Sequence, residues 1–239
     1  MKEDHRDIAT LIREHRPGFA LEQRFYVDAE VYELELRRVI DRNWIVVGHQ
    51  SELSAAGDFK VINVARESAI IVRGKDAKLR AFANVCRHRG SLVCLEAGGN
   101  TDRFKCPYHG WVYAIDGTLT AARSMADDFD RTQWGLRPVA LELLGGFMLI
   151  CFSDDPPGLD GARTELARPM AMFAFESLKV AAHRTYDIPA NWKLAVENYQ
   201  ECYHCATAHP EYSQRHTLRV DWRRRGHLQE DMIRRMEEC

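Results

Sequence analysis

Two pairs of metal-binding side chains, set in a β-rich stretch, most limit how this chain can fold. Cys86-Arg-His88 is followed, after seventeen residues, by Cys106-Pro-Tyr-His109. Two loops that each offer one thiolate and one imidazole can enclose a single zinc ion with four ligands. They can also hold a [2Fe–2S] cluster, with both cysteines on one iron and both histidines on the other. Either centre requires the fold to bring the two loops together.

The sequence around these loops is typical of short antiparallel strands. Apolar runs rich in β-branched and aromatic residues are separated by turn signals such as Asp116–Gly117 and Gly145–Gly146. Residues 1–42, before these runs, have the apolar spacing of helices. The chain is therefore predicted to be α+β, with an antiparallel β domain after an N-terminal helical segment. The predicted strands lie in WIVVGHQ, DFKVINVA, SAIIVRG, LRAFANVC, WVYAI, LRPVALELL and GFMLICF.

The β pattern ends near Phe152, and the following SDDPPGLDG is predicted to be a linker. A helix is predicted around Glu165–Leu178, followed by a strand in HRTYDI. Asn191 can cap a helix over NWKLAVENYQECYH. We therefore expect three parts: a helical segment (1–42), a β domain (43–153) and the beginning of an α+β, helix-grip-like second domain (154–239).

Composition excludes several classes of function. A net charge of −2 gives no reason to expect nucleic-acid binding, and no basic run suggests a membrane surface. The N-terminus has no apolar signal core, and no stretch reaches the roughly 18 apolar residues that a membrane span needs. Seven unevenly spaced cysteines favour a cytoplasmic protein with reduced thiols, some of them metal ligands. Cys94 and Cys151 lie outside the motif and are predicted to be buried apolar side chains.

A second group of metal-binding side chains lies in ENYQECYHCATAHPE, residues 197–211. His204 and His209 are five residues apart, about 140° around a regular helix. They can bind one ion only if the helix ends or distorts between them, and Pro210 favours this because it disturbs the residue before it. Two neutral imidazoles and one carboxylate form the facial triad of non-haem Fe(II) oxygenases.

Other uses of this segment are less favoured. Cys202-x-x-Cys205 has the spacing of a redox pair, but it is predicted to lie inside a helix rather than at a helix start after a strand. A zinc site of Cys202, His204, Cys205 and His209 is disfavoured because residues 202 and 204 point to nearly opposite faces. The two cysteines are therefore predicted to pack against neighbouring helices.

The residues that flank these ligands resemble a known family. The two loops of Rieske domains read C-x-H-R-G and C-x-Y-H-G-W, and here they are Cys86–Gly90 and Cys106–Trp111; a zinc site has no need of this context. Together the two regions resemble the α subunit of Rieske non-haem iron oxygenases, from about residue 25 to the end of the chain. The second pattern is carried by Asn191-Trp192-Lys193, Glu197-Asn198, Glu201, His204 and His209.

The resemblance implies two metal centres. Glu201 would not bind iron but would link His204 to the cluster histidine His109 of a neighbouring subunit, in a ring-shaped homotrimer with or without a β subunit. Its position one turn before His204 suits a hydrogen bond to the ring nitrogen that faces away from the iron. Asn198 would help to shape the oxygen pocket. The implied ligands are Cys86, His88, Cys106 and His109 for a [2Fe–2S] cluster, and His204 and His209 for a mononuclear Fe(II).

The ligand set is not complete in this sequence. The family's third iron ligand is an aspartate far downstream, beyond Cys239. Asp221 or Glu201 could be suggested as a substitute, but the pattern gives neither that role. We expect these 239 residues to stop within the catalytic domain and to be inactive alone. The tail ends in a charged helical pattern, in which Arg223–Arg225 would be a solvated face or a subunit contact.

The resemblance implies a terminal oxygenase that uses O₂. Its electrons would come from a separate ferredoxin or flavin reductase, because no G-x-G-x-x-G follows a strand. It would hydroxylate an aromatic compound, or demethylate or cleave a quaternary ammonium compound. Glu201 within ECYHC resembles the branch acting on carnitine, glycine betaine and stachydrine. The alternative is an electron-transfer module with a vestigial second domain, against which the NWK segment and the histidine pair argue.

Overall fold

A computed structural model describes residues 6–201 and 204–215, with side chains to residue 213. The chain divides into two compact units, one of residues 29–185 and the other of residues 1–28 with 186–239. The domain boundaries predicted at residues 42 and 153 stay a prediction. No helix in the described part of the chain is long and apolar enough to cross a membrane.

The helices are short, and most lie at the two ends of the chain. The predicted N-terminal helical segment is present as several helices, and a π-helical turn, Leu36–Ile40, continues the third. The described helices are α1 (Ile8–Glu14), α2 (Arg24–Val27), α3 (Ala29–Glu35), α4 (Asp160–Met172), α5 (Trp192–Gln200), α6 (Cys205–Ala208) and α7 (Pro210–Arg215).

The unit of residues 29–185 is built on two antiparallel sheets. The larger has the strand order β1-β10-β9-β4-β3-β2-β5, and the smaller has the order β6-β7-β8. The strands are β1 (Ile45–His49), β2 (Asp58–Val64), β3 (Glu67–Arg73), β4 (Leu79–Ala83), β5 (Gly98–Asn100), β6 (Arg103–Lys105), β7 (Val112–Ala114), β8 (Leu119–Ala121), β9 (Pro138–Leu144) and β10 (Phe147–Cys151). The α+β class with antiparallel sheets is confirmed, and each predicted run contains a strand.

Strand β3 divides the core of this unit into two parts. Its side chains alternate between the two faces of the sheet, and both faces are buried. The sequence of the strand is therefore a continuous apolar run instead of an alternating pattern. Ala69 and Ile71 pack into one cluster with Met148 and Ile150 of β10. On the opposite face, Ile70 and Val72 belong to a cluster that contains the motif residues Cys86, Cys106 and Trp111, together with Tyr113. The two motif loops therefore lie over one face of the larger sheet.

Two predictions made beyond the β region need correction. HRTYDI forms no strand, because its side chains are all exposed and no alternation of burial accompanies the sequence pattern. The helix capped by Asn191 is present, with Oδ1 accepting from the Lys193 amide at 3.1 Å, but it ends at Gln200 instead of continuing through His204. Glu201 is extended, with φ −117° and ψ 151°.

Candidate metal centres

The two motif loops of the β unit have the same backbone hydrogen bonds. In the first, the Cys86 amide donates to the Ser91 carbonyl at 2.8 Å and the Gly90 amide donates to the Cys86 carbonyl at 3.0 Å. In the second, Cys106 pairs with Trp111 at 2.8 Å, and the Gly110 amide donates to the Cys106 carbonyl at 3.0 Å. The two motif loops therefore form the same type of turn.

Each turn depends on a glycine in the left-handed region. Gly90 has φ +73° and Gly110 has φ +72°, a conformation that costs other residues about 1–2 kcal/mol. A Cβ atom would meet nothing within 4 Å at Gly90 and only the Lys105 side chain, at 3.6 Å, at Gly110. These glycines are thus required by backbone conformation and not by crowding.

The two cysteines are buried together beneath the loops. Cys86 is 3% exposed and Cys106 is 1% exposed. Burial raises the pKa of the Cys86 thiol, while the Tyr113 hydroxyl and the His88 amide act in the opposite direction. The Tyr113 oxygen lies 3.3 Å from the Cys86 sulfur and also accepts from the Arg87 amide at 3.1 Å. Burial raises the pKa of Tyr113 as well, so its hydroxyl stays protonated and can donate to a thiolate.

The two histidines of these loops also lie together. Their ring centroids are 4.6 Å apart, and the His88 ring stacks on Trp111 at 4.8 Å. Burial lowers the pKa of His88, as do the nearby His109 and Arg89, which favours the neutral imidazole that a metal binds. Its Nδ1 atom is buried without a hydrogen-bond partner. A buried nitrogen without a partner is costly unless a metal or another group satisfies it.

This donor set fits a [2Fe–2S] cluster better than a zinc ion. Cysteine lies with cysteine and histidine with histidine, which matches one iron for each pair. Across the described ranges, no group of three or more His, Cys, Asp or Glu side chains is arranged around a single ion position. Cys94 and Cys151 are buried, as predicted, and burial raises the pKa of the Cys94 thiol to about 11.

The second histidine pair lies in the other unit, at the two ends of helix α6. His204 is the residue before the helix and His209 ends it. Helix α7 begins at Pro210, so the predicted break between the histidines is confirmed. The two rings approach to 5.4 Å between centroids. Cys205 is buried, as predicted for a packing residue; Cys202 lies outside the described residues.

Glu201 contacts His204 twice. Its Oε1 lies 2.5 Å from the ring Nδ1, and its Oε2 accepts from the His204 amide at 3.3 Å. The carboxylate thus favours the tautomer with its proton on Nδ1. Nε2, which lies 3.9 Å from the Cys205 sulfur, is the nitrogen left for a metal. Because both oxygens of Glu201 are used in this way, it is poorly placed to be the third ligand.

An open cavity of about 840 Å³ lies against these histidines. Asn198 lines it, and its role in an oxygen pocket stays a prediction; three other lining residues were not found in the sequence analysis: Tyr199, Glu211 and Tyr212. The only sequence signal for them is their closeness to the histidine pair. Asp221 and Arg223–Arg225 lie outside the described residues. The lining residues are Asn198, Tyr199, Glu201, His204, Cys205, Ala208, His209, Glu211 and Tyr212.

Two protein-family models match the regions that contain these histidines and cysteines. Residues 43–138 match the Rieske [2Fe–2S] domain, and residues 175–236 match the ring hydroxylating alpha subunit (catalytic domain).

Curated relatives and solved structures extend the match. The chain is 40% identical over 204 residues to the glycine betaine monooxygenase oxygenase subunit of Chromohalobacter salexigens, covering 85% of this chain and 46% of that protein. It is 39% identical over 221 residues to the carnitine monooxygenase oxygenase subunit of Escherichia coli (strain K12), covering 86% and 58%. The structure of the quaternary ammonium Rieske monooxygenase CntA with L-carnitine has a TM-score of 0.72 at 36% identity, covering 83% and 56%.

The chain spans about half the length of the relatives that it matches. Within that span, the cluster loops and the residues around the second histidine pair both fall inside matched family regions. The chain therefore belongs to the family of Rieske non-haem iron oxygenase α subunits, with a Rieske [2Fe–2S] domain followed by residues of the ring-hydroxylating catalytic domain.

Proposed function

We propose that this chain works in the oxygenase component of a Rieske monooxygenase that oxidises a quaternary ammonium compound. The observation that carries the proposal is the hydrogen bond of Glu201 to His204 beside His209, in an open cavity. A simple electron carrier needs only the cluster loops. A second, ordered histidine pair favours the oxygenase over a carrier with a vestigial second domain.

The candidate metal ligands and Glu201 each have a defined task in this proposal. When bound, the mononuclear iron supplies O₂ activation. His204 and His209 hold it through ring nitrogens, and Glu201 keeps the proton on Nδ1 of His204. Cys86, Cys106, His88 and His109 hold the [2Fe–2S] cluster.

Electron transfer between the centres is proposed to cross a subunit boundary. Glu201 would bridge His204 to the cluster histidine His109 of a second copy of this chain, in a homotrimer. The exposed position of Glu201, 44% of whose side chain is accessible, leaves it open to such a contact. The third iron ligand is proposed to be a carboxylate from outside the described residues.

Electrons would come from a separate ferredoxin or flavin reductase, since the sequence carries no dinucleotide-binding glycine motif after a strand. The cytoplasm is the proposed location. Reduced thiols support it, because Cys86, Cys94, Cys106 and Cys151 form no disulfide.

The cavity lining supports a cationic substrate. Tyr199 and Tyr212 offer aromatic faces, and Glu201 and Glu211 add negative charge. Aromatic faces attract quaternary ammonium groups by about 0.5–2 kcal/mol. None of the described lining residues is a lysine or arginine, although an aromatic acid would need a cation for its carboxylate. A relative at 32% identity, the biphenyl 2,3-dioxygenase subunit alpha of Rhodococcus jostii, keeps aromatic hydrocarbons as the competing class.

The test is substrate-dependent O₂ uptake by the full-length protein that contains this chain, supplied with a reductase and NADH. N-demethylation of a trimethylammonium compound uses one O₂, two electrons and two protons, and releases formaldehyde, water and the dimethylamino product protonated at nitrogen. We expect equal amounts of NADH oxidised, O₂ consumed and aldehyde formed with glycine betaine or carnitine. Uptake with an aromatic compound alone would contradict the substrate class, and two irons per chain with no uptake would favour the carrier.

A pair of variants tests the cation site separately. Tyr199→Phe keeps the aromatic face, whereas Tyr199→Leu removes it. We expect the leucine variant to raise KM for the ammonium substrate about 3- to 30-fold over the phenylalanine variant. Equal KM values would remove Tyr199 from the substrate site.

A further inference from the structure

We infer that Tyr26 is a positioning residue for the second metal centre, because it fixes helix α5 at two points. Helix α5 carries Asn198 and leads directly into Glu201, so its placement sets the position of both. The inference rests on the proposed function of that centre. All the residues involved belong to the same compact unit.

The first point of attachment is the Tyr26 side chain. Its hydroxyl lies 2.8 Å from Oε1 and 3.0 Å from Oε2 of Glu197, although 171 residues separate the two. Burial raises the pKa of Tyr26, and the Glu197 carboxylate raises it further. The hydroxyl therefore remains a donor at neutral pH. A hydrogen bond to a charged acceptor is stronger than one between neutral groups.

The second point of attachment is the Tyr26 backbone. Its carbonyl accepts from Nδ2 of Asn191 at 3.1 Å. The same Asn191 caps α5 through Oδ1, which also accepts from the Lys193 ammonium at 2.8 Å. That ammonium, on a side chain only 9% exposed, lies 5.7 Å from the Tyr26 ring and 5.4 Å from the Trp192 ring.

Two points of attachment fix the helix in a way that one cannot. Asn191 and Glu197 are six residues apart, about 9 Å along a helix. A contact at Asn191 alone would leave α5 free to rotate about its axis or to swing at its far end. The Glu197 contact removes that freedom one turn before Glu201, the residue that holds His204.

Tyr26 is itself held in place. It lies on α2, a helix of four residues, which is too short to be stable alone. Arg24 stabilises this turn by an ion pair with Asp28 at 2.8 Å and a hydrogen bond to the Arg6 carbonyl at 2.5 Å. The N-terminal segment can therefore act as a support for α5.

The test uses the full-length protein and two readouts other than turnover. The first is hydrogen exchange of the α5 amides; the second is Co(II) affinity and its ligand-field absorption at the histidine pair. Tyr26→Phe removes only the hydroxyl. Tyr32→Phe, at an exposed tyrosine of α3, is the matched control.

We expect Tyr26→Phe to speed α5 exchange about 3- to 10-fold and to weaken Co(II) binding by a similar factor. Cluster absorption should not change, and Tyr32→Phe should behave as wild type. Glu197→Gln keeps a neutral oxygen that accepts from Tyr26 and should lie between wild type and Tyr26→Phe, whereas Glu197→Leu should match Tyr26→Phe. This rescue distinguishes a specific contact from general loss of structure.

Unchanged exchange and unchanged Co(II) binding in Tyr26→Phe would overturn the inference. Faster exchange with an unaltered Co(II) site would also overturn it, because Tyr26 would then be structural only. The proposed function fails differently: the wild type and His204→Ala would bind Co(II) equally, whatever Tyr26→Phe does to exchange.

Discussion

The hydrogen bond between Tyr113 and Cys86 makes a quantitative prediction about the cluster. Tyr113→Phe removes one hydroxyl from a side chain that is fully buried, and leaves the ring in the core. The lost group lies 3.3 Å from the Cys86 sulfur and 3.1 Å from the Arg87 amide. The variant therefore changes the electrostatics of one ligand and leaves one backbone donor without its acceptor.

The magnitude follows from the charge that reduction adds. A hydrogen bond to a charged acceptor contributes about 1.5–3 kcal/mol. If about 1 kcal/mol of this hydrogen-bond energy is gained only in the reduced state, its loss in Tyr113→Phe lowers the reduction potential by about 40 mV. This follows because a tenfold change in the equilibrium constant for one-electron reduction corresponds to 59 mV. The Arg87 amide adds a stability loss of about 1–3 kcal/mol.

The assay is a redox titration of the cluster followed by electron paramagnetic resonance. Tyr108→Phe is the control, because its exposed ring lies 3.8 Å from the His109 ring and its hydroxyl is directed to neither cysteine among the described contacts. We expect a lower potential for Tyr113→Phe and a much smaller change for Tyr108→Phe. An unchanged or raised potential for Tyr113→Phe would refute the reasoning.

Three further predictions concern the β unit. Gly110→Ala forces φ +72° on a residue with a side chain and should lower the free energy of unfolding by about 1–2 kcal/mol. We expect a lower Tm and a reduced iron and sulfide content. The control is Gly158→Ala, where a Cβ atom would meet nothing within 4 Å, and it should change neither quantity. Asn84→Leu removes the buried amide that bonds the Cys94 carbonyl and amide, each at 2.8 Å, and should lower the free energy of unfolding in urea by about 2–4 kcal/mol. The pKa of Glu52 is lowered: burial raises it, but Lys60 and the His49 amide outweigh that effect. Its contribution to stability is therefore present above the ordinary pKa of 4.5 and is lost as pH falls through the lower pKa of the folded state. In Glu52→Gln, we therefore expect Tm to fall less steeply as the pH is lowered.

Each of these predictions has a clear contrary result. Equal iron content in both glycine variants would mean that the turn tolerates a side chain. An unchanged free energy of unfolding in Asn84→Leu would mean that the segment between the two motif loops does not depend on this amide. An acid limb unchanged by Glu52→Gln would assign that pH dependence to other carboxylates.

The cluster site could be predicted from the sequence because its geometry is local. Each loop is a turn of six residues whose ligands and left-handed glycine occupy fixed places in the motif. Strand β3 was equally clear, because burial on both faces leaves a continuous apolar run. These elements carry their structural information within a few residues.

Other features were missed because their causes lie far away in sequence. Tyr113 is 27 residues from Cys86, and Tyr26 is 171 from Glu197, so no local pattern connects them. The helix break at Glu201 has no proline or glycine signal. The break accompanies two hydrogen bonds between Glu201 and His204. The bond to the ring nitrogen was predicted, but the bond to the His204 amide and the break itself were not. Strand β5 is Gly98–Asn100, too short and too poor in side chains to show a strand pattern.

In the proposed function, electrons pass from the cluster to the His204–His209 centre by way of Glu201. The most direct test is a single turnover: the full-length protein with its cluster reduced is mixed with O₂ and a trimethylammonium substrate, and cluster reoxidation and product are followed together. We predict that Glu201→Gln slows reoxidation about 10- to 100-fold at an unchanged cluster potential, while Glu165→Gln in helix α4 reoxidises like wild type. Reoxidation and product formation at the wild-type rate in Glu201→Gln would contradict the account.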